Sequence, residues 1–120
     1  MSHAHLPVMY GISNCDTVRR ARRWMDQAGH AYHFHDLRRD GLDTALVQRW
    51  LAQLGHEQLL NRRGRTWREL PAASREALDI DRAAALMLAH PAIIRRPVLE
   101  YAGKLIVGFD QAQWTSLFED

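Results

Sequence analysis

Cys15 is the only cysteine in the chain, so any sulfur chemistry this protein does runs through one atom. It follows a short apolar run, Val8-Met9-Tyr10-Gly11-Ile12, and precedes a stretch with helical spacing. A thiol there lies where unpaired helix amides and the helix dipole favour an anion. Its pKa is expected to fall below ~8.5, toward the range of reactive thiols. Asp16 opposes this, because a carboxylate beside a thiolate raises the pKa. Arg62, Arg63 and Arg96 restore the balance if they fold over the sulfur. The polar neighbours Asn14, Asp16 and Thr17 argue against a cysteine that serves only as a small buried hydrophobe. With no second cysteine, an internal dithiol–disulfide cycle is impossible. A redox cycle at Cys15 needs an external resolving thiol, such as glutathione or another protein.

Arginine is the second chemical signal. Of the 16 basic residues only Lys104 is a lysine. The arginines cluster at Arg19-Arg20 with Arg22-Arg23, at Arg62-Arg63 with Arg65, and at Arg95-Arg96. A guanidinium is a planar fork suited to carboxylates and oxyanions, although for any one arginine a solvated surface is the plainer reading. His33 and His35 share a strand face, and His3 and His5 lie near the N-terminus. Two histidines at i, i+2 without a fixed third ligand are a weak metal signal, and no metal site is expected. Trp24, Trp50, Trp67 and Trp114 read as core or core-edge residues rather than ligand platforms.

These residues need a scaffold. The apolar run from Val8 to Ile12 predicts a buried strand ending in a turn at Ser13-Asn14. Val18, Ala21, Met25 and Ala28 recur at three- and four-residue steps and predict a helix from Asp16 to Ala28, stopped by Gly29. Ala31 to Leu37 alternates, with Tyr32 and Phe34 on one face and His33 and His35 on the other, which predicts a half-solvated strand. Strand, helix, strand in about 30 residues is a βαβ unit with parallel strands. The middle of the chain is helical. Asp43 caps a helix presenting Leu46, Val47, Trp50, Leu51 and Leu54, stopped by Gly55. A polar turn around Gly64 follows, then a short helix over Trp67 to Leu70. Another runs from Pro71 through Leu78, and one capped by Asp79 or Asp81 runs through Ala89 with Leu86 and Met87 buried. Val98 to Tyr101 and Leu105 to Val107 flank Ala102-Gly103-Lys104 as a hairpin closed by Gly108. Asp110 with Gln113 resembles a capping box for a last helix that presents Trp114, Leu117 and Phe118 to the core.

A parallel pair and an antiparallel hairpin in one sheet give an α/β, thioredoxin-like fold. It has a mixed four-stranded sheet, βαβ then ββα, with a helical insertion. The 120 residues read as a single domain, with the thioredoxin-like core at 7–41 and 93–119 and the insertion at 42–92. The composition, 47% hydrophobic and 25% charged, is ordinary globular usage. It excludes disorder, collagen and a coiled coil, and the single cysteine excludes a disulfide scaffold. No apolar run approaches ~20 residues, so no transmembrane helix is expected. The first residues lack the pattern of a signal peptide. A net charge of +2 does not make a nucleic-acid binder. A cytoplasmic monomer is the default expectation.

Four ordered segments carry a resemblance to a known family. They are Tyr10-Gly11-Ile12-Ser13-Asn14-Cys15-Asp16-Thr17, Leu59-Leu60-Asn61-Arg62-Arg63-Gly64, His90-Pro91-Ala92-Ile93-Ile94-Arg95-Arg96-Pro97-Val98, and Ile106-Val107-Gly108-Phe109. Together they resemble the arsenate reductase (ArsC)/Spx family, in its YffB-like branch, from about Met9 to Phe118. The resemblance implies a thioredoxin-like fold with a helical insert, and a cis-proline at Pro97 beside Cys15. In the arsenate reductases the matching cysteine attacks arsenate, and glutathione and glutaredoxin resolve the product. Three arginines hold the oxyanion. The one before the cis-proline carries over as Arg96. The arginine shortly after the cysteine in the family's pattern matches Arg19.

The departures are informative. The insert arginine falls on Asn61, with Arg62 and Arg63 adjacent. The arginine at the end of the hairpin falls at or near Gly108, and the glycine after the cysteine is Asp16. Two missing charge-assisted contacts at roughly 1.5–3 kcal/mol each weaken oxyanion binding by on the order of a hundredfold or more. That counts against efficient arsenate reduction. In the Spx branch a Cys-x-x-Cys pair senses redox and the RNA polymerase α subunit is the partner. Here the segment is Cys15-Asp16-Thr17-Val18, so that switch is absent.

The expectation is a glutathione-dependent thiol reductase with Cys15 as nucleophile. Glutathione would be a co-substrate rather than a bound cofactor, glutaredoxin a candidate partner, and Asn14, Thr17, Arg19, Arg62, Arg63, Arg96 and Pro97 the binding residues. Arg62, Arg63 and Arg96 hold glutathione carboxylates in this reading, and the Pro97 edge pairs with the peptide backbone. The alternatives are arsenate reductase proper and a non-enzymatic, Spx-like regulator that binds RNA polymerase, with Arg19, Arg20, Arg22 and Arg23 as a surface.

Overall fold

The computed structural model describes residues 6–119, so His3 and His5 lie outside the described residues. It divides into two units, 1–37 with 96–120, and 38–95.

The first unit is built on one sheet. Strand β1 (Val8–Gly11) leads into helix α1 (Asp16–Gln27), and strand β2 (His33–Asp36) returns parallel to β1, with Met9 opposite Phe34. Strands β3 (Val98–Tyr101) and β4 (Lys104–Val107) form a hairpin, and β3 lies antiparallel to β1 with Tyr10 opposite Val98. The order is β2-β1-β3-β4. This is the expected βαβ and ββα arrangement. The first parallel strand pair is shorter than the alternation of Ala31 to Leu37 suggests. Pro7 has no N–H to donate, so the ladder begins with His33 N–H on the Pro7 carbonyl at 2.8 Å.

Helix α1 and the last helix, α7 (Gln111–Phe118), bury their apolar faces on the sheet. Met9 and Leu99 from the strands, Ala21 and Met25 from α1, and Trp114 from α7 form a fully buried cluster. Gly11 allows the closest approach. A Cβ built there would stand 2.8 Å from Val18 Cγ2, and Val18 is itself fully buried. Asp110 caps α7 as predicted, its Oδ1 accepting the Gln113 N–H at 3.0 Å.

The second unit is helical. Asp43 caps α2 (Thr44–Leu54), accepting the Leu46 N–H at 2.8 Å, and Gly55 ends it. A single turn, α3 (His56–Leu59), follows without having shown any periodicity in sequence. Then come α4 (Arg65–Glu69), α5 (Ala72–Arg75) and α6 (Ile80–Ala89), the last capped by Asp79. Helix α5 stops well short of Leu78, because the chain is already extended at Glu76, and Ala77 then takes a left-handed φ of 52°. In α6 the buried residues are Ala83, Ala84 and Met87, and Leu86 is only half-buried. The expected burial of Leu86 is thus corrected, since the inner face of α6 is built on alanines. A 3-10 turn (Pro91–Ile93) closes the unit. Trp50 is wholly buried and Trp67 nearly so. None of the helices described is long and apolar enough to cross a membrane.

Candidate active site

The turn after β1 places Cys15 at the N-cap of α1 in an extended conformation, φ −112° and ψ 128°. Its carbonyl accepts the Arg19 N–H at 2.9 Å and so starts the helix. No side-chain oxygen caps this end, which leaves the first-turn amides available to a thiolate. The sulfur is half-buried. Burial is the largest single influence on the Cys15 pKa and pushes it up. The Val18 amide, a hydrogen bond from Arg96, the Arg96 charge and the Thr17 amide together outweigh it, so the thiol titrates below its ordinary value. Arg96 is therefore the cation that offsets burial.

Asp16, expected to oppose the thiolate, is turned to solvent. It pairs with Arg19 at 2.8 Å, with Asp16 almost fully exposed. That contact occupies Arg19, whose guanidinium is bound one helical turn beyond the sulfur. Asn14 is exposed and Thr17 half-buried, both flanking Cys15 in the chain. The Arg96–Pro97 bond is cis, and Pro97 is buried at the start of β3. The Pro97 carbonyl takes the Gly108 N–H at 2.8 Å.

Gly108 stands where the resemblance placed a missing arginine. Its φ is +83°, in the left-handed region that glycine enters without strain. Its carbonyl accepts the Trp114 indole N–H at 3.2 Å. Sequence reading has Gly108 close the hairpin and notes its absent charge, and the φ and two hydrogen bonds add its tie to Pro97 and Trp114.

Arg62 and Arg63 belong to the second unit, on the polar turn after α3. Arg62 meets His56 Nδ1 at 3.1 Å, and its guanidinium lies 5.7 Å from the centre of the Trp67 ring. His35, one of the two strand histidines, packs against Tyr10 with the rings tilted by 45° and their centres 4.9 Å apart.

A lone thiol at a helix N-cap, with an arginine and a cis-proline just before β3, stands on a thioredoxin-like sheet. A glutaredoxin from Archaeoglobus fulgidus shares that fold, with a TM-score of 0.54 and 12% identity over 99% of this chain and 90% of that one. The chain belongs to the ArsC family, whose model matches residues 10–117. Among solved structures, a protein called YffB is 44% identical over 92% of this chain and 96% of its own, with a TM-score of 0.87. An arsenate reductase (ArsC) related protein of Brucella melitensis is also 44% identical, over 99% of both chains, with a TM-score of 0.77. The global transcriptional regulator Spx 2 of Oceanobacillus iheyensis is more distant, 26% identical over 86% of this chain and 76% of its own.

Proposed function

We propose that this protein is a glutathione-dependent thiol–disulfide reductase that works through Cys15 alone. The observation that carries the reading is the half-buried sulfur whose pKa is lowered by Arg96 and the first-turn amides against the effect of burial. Membership of the ArsC family supports a reductase of the thiol type. A thiolate is the attacking form in disulfide exchange, and a lowered pKa raises its fraction at neutral pH.

The cycle balances with glutathione as the co-reactant. The Cys15 thiolate attacks the glutathionyl sulfur of a mixed disulfide. The substrate thiolate leaves and takes a proton from water, and a Cys15–glutathione disulfide forms. A second glutathione thiolate attacks that glutathionyl sulfur, which yields oxidised glutathione and returns Cys15 as thiolate. The net reaction reduces the substrate sulfur to a thiol and oxidises one free glutathione, whose sulfur joins the glutathionyl unit of the mixed disulfide in oxidised glutathione. Thr17 and Val18 amides and Arg96 hold the charge on Cys15 at both ends of the cycle. The uncharged, left-handed Gly108 favours this thiol chemistry over turnover of free arsenate.

The test is release of glutathione from a glutathionylated peptide, followed with excess glutathione. Turnover by the natural chain and none by Cys15→Ser is the expected outcome. Equal activity in the two would falsify the reading. Arsenate supplied with glutathione and glutaredoxin is expected to give no turnover above the Cys15→Ser control.

A further inference from the structure

The second unit carries a cleft of about 380 Å³ lined by Glu57, Leu60, Asn61, Arg62, Arg63 and Arg95. That volume is in the range of small-molecule sites. Its frame is backbone. Asn61 N–H donates to the Ile93 carbonyl and Arg95 N–H to the Leu59 carbonyl, both at 2.8 Å, around the antiparallel bridge of Leu60 and Ile94. The Asn61 side chain fixes the turn that follows: its Oδ1 accepts the Arg63 N–H at 3.2 Å. Its Nδ2 lies so close to Gly64 that a Cβ there would sit 2.8 Å away.

The charges in this cleft differ from those around it. Elsewhere in the unit Arg65 pairs with Glu69 at 3.0 Å, and Arg82 donates to the Ala73 carbonyl at 3.3 Å. Arg62 is committed to His56 and lies over Trp67. The guanidinium groups of Arg63 and Arg95 and the Glu57 carboxylate are exposed and make no hydrogen bond or ion pair among the described residues. They line one cleft without pairing with each other. Two guanidinium groups and a separate carboxylate complement a ligand that carries two carboxylates and an ammonium group. A simple oxyanion leaves Glu57 as a like charge, and a purely cationic ligand faces two arginines.

We propose that this cleft binds a small zwitterion with two carboxylates and one ammonium group, an acidic amino acid or a γ-glutamyl peptide. Arg63 and Arg95 take the carboxylates, Glu57 takes the ammonium group, and Leu60 lies under the methylene stem. Glutathione carries this set of charges, and for that choice of peptide the inference rests on the function proposed above.

The test uses the full chain as Cys15→Ser, titrated by calorimetry and amide-shift NMR with S-methylglutathione, which has no thiol to exchange. Saturable binding is expected, with shifts at residues 57–64 and 93–95. Arg63→Gln and Arg95→Gln are each expected to weaken it by about tenfold or more. Arg68→Gln, also exposed but outside the cleft, is expected to change nothing. Glu57→Gln weakens S-methylglutathione and leaves its N-acetyl form unaffected. No saturable binding, or binding that both arginine variants retain, overturns the proposal. Thiol exchange by the natural chain with no shift in the cleft also rejects it, and leaves the reductase standing. Cleft binding without any exchange at Cys15 rejects the reductase and keeps the cleft.

Discussion

Arg96 hydrogen-bonds the Cys15 sulfur and lays its charge against it, although the two residues are far apart in sequence. The sheet makes the contact. Because β1 and β3 are antiparallel, with Tyr10 opposite Val98, the chain leaving β1 and the chain entering β3 meet at one end of the sheet.

Removing that cation is expected to raise the thiol pKa. Burial already pushes it up and only the Arg96 and amide contacts hold it down. Alkylation of Arg96→Gln with iodoacetamide across pH 5–10 checks this. The rate profile is expected to move to higher pH, with a several-fold slower rate at pH 7, since one pKa unit is a factor of ten in thiolate. Arg96→Lys is expected to recover part of the shift, having the charge without the fork. An unchanged profile in Arg96→Gln would mean the amides alone set the pKa.

The lowered pKa also ties stability to pH. The folded chain holds Cys15 as thiolate more readily than the unfolded chain does, so the contribution is complete above the unfolded thiol's pKa of ~8.5. It is lost as pH falls through the lower folded value. Urea midpoints of the natural chain and Cys15→Ser are therefore expected to diverge as pH rises from 6 to 9, with the natural chain gaining. A constant difference across that range contradicts the linkage.

Gly11→Ala is expected to destabilise the first unit by about 1–3 kcal/mol, the usual cost of overpacking. The new methyl meets Val18 Cγ2 at 2.8 Å, and Val18 has no exposed side from which to yield. Urea unfolding measures the loss. Val18→Ala in the same chain is expected to recover part of it by opening the space the methyl needs.

Gly108→Ala places a Cβ in the left-handed region at φ +83°, at a cost of roughly 1–2 kcal/mol. Trp114→Phe keeps a ring but strands the Gly108 carbonyl, which now accepts the indole N–H at 3.2 Å. A lost partner of this kind costs about 1–3 kcal/mol. Thermal unfolding of the two variants tests both expectations. No loss in Trp114→Phe would show that water replaces the indole.

Much of this architecture is legible because local chemistry and tertiary packing agree. Val18, Ala21 and Met25 announce the inner face of α1, and all three are fully buried. Asp43, Asp79 and Asp110 each cap the helix that follows them. What is not legible has physical reasons. The turn at His56–Leu59 is too short to show a period. Glutamate and alanine are good helix formers, so nothing at Glu76 or Ala77 predicts the extended cap that ends α5 or the left-handed φ of 52° that follows. Leu86 was expected inside on hydrophobicity, but it is half-buried while the small residues Ala83 and Ala84 are enclosed. At the site, the position of Cys15 followed from the strand and helix around it. The approach of Arg96 did not, because spacing along the chain carries no record of which strands become neighbours. Residue types alone offer Arg62, Arg63 and Arg96 as cations that could fold over the sulfur, and the resemblance to the ArsC/Spx family adds the cis-proline after Arg96 beside Cys15.

Gly108 spends both of its backbone groups on other parts of the first unit. Its N–H holds the Pro97 carbonyl, and its own carbonyl holds the Trp114 indole. Through this one residue the last helix braces the loop that carries Arg96 to the sulfur. A variant that unseats α7 is therefore expected to loosen the segment around Pro97 as well, read as faster amide exchange at Gly108.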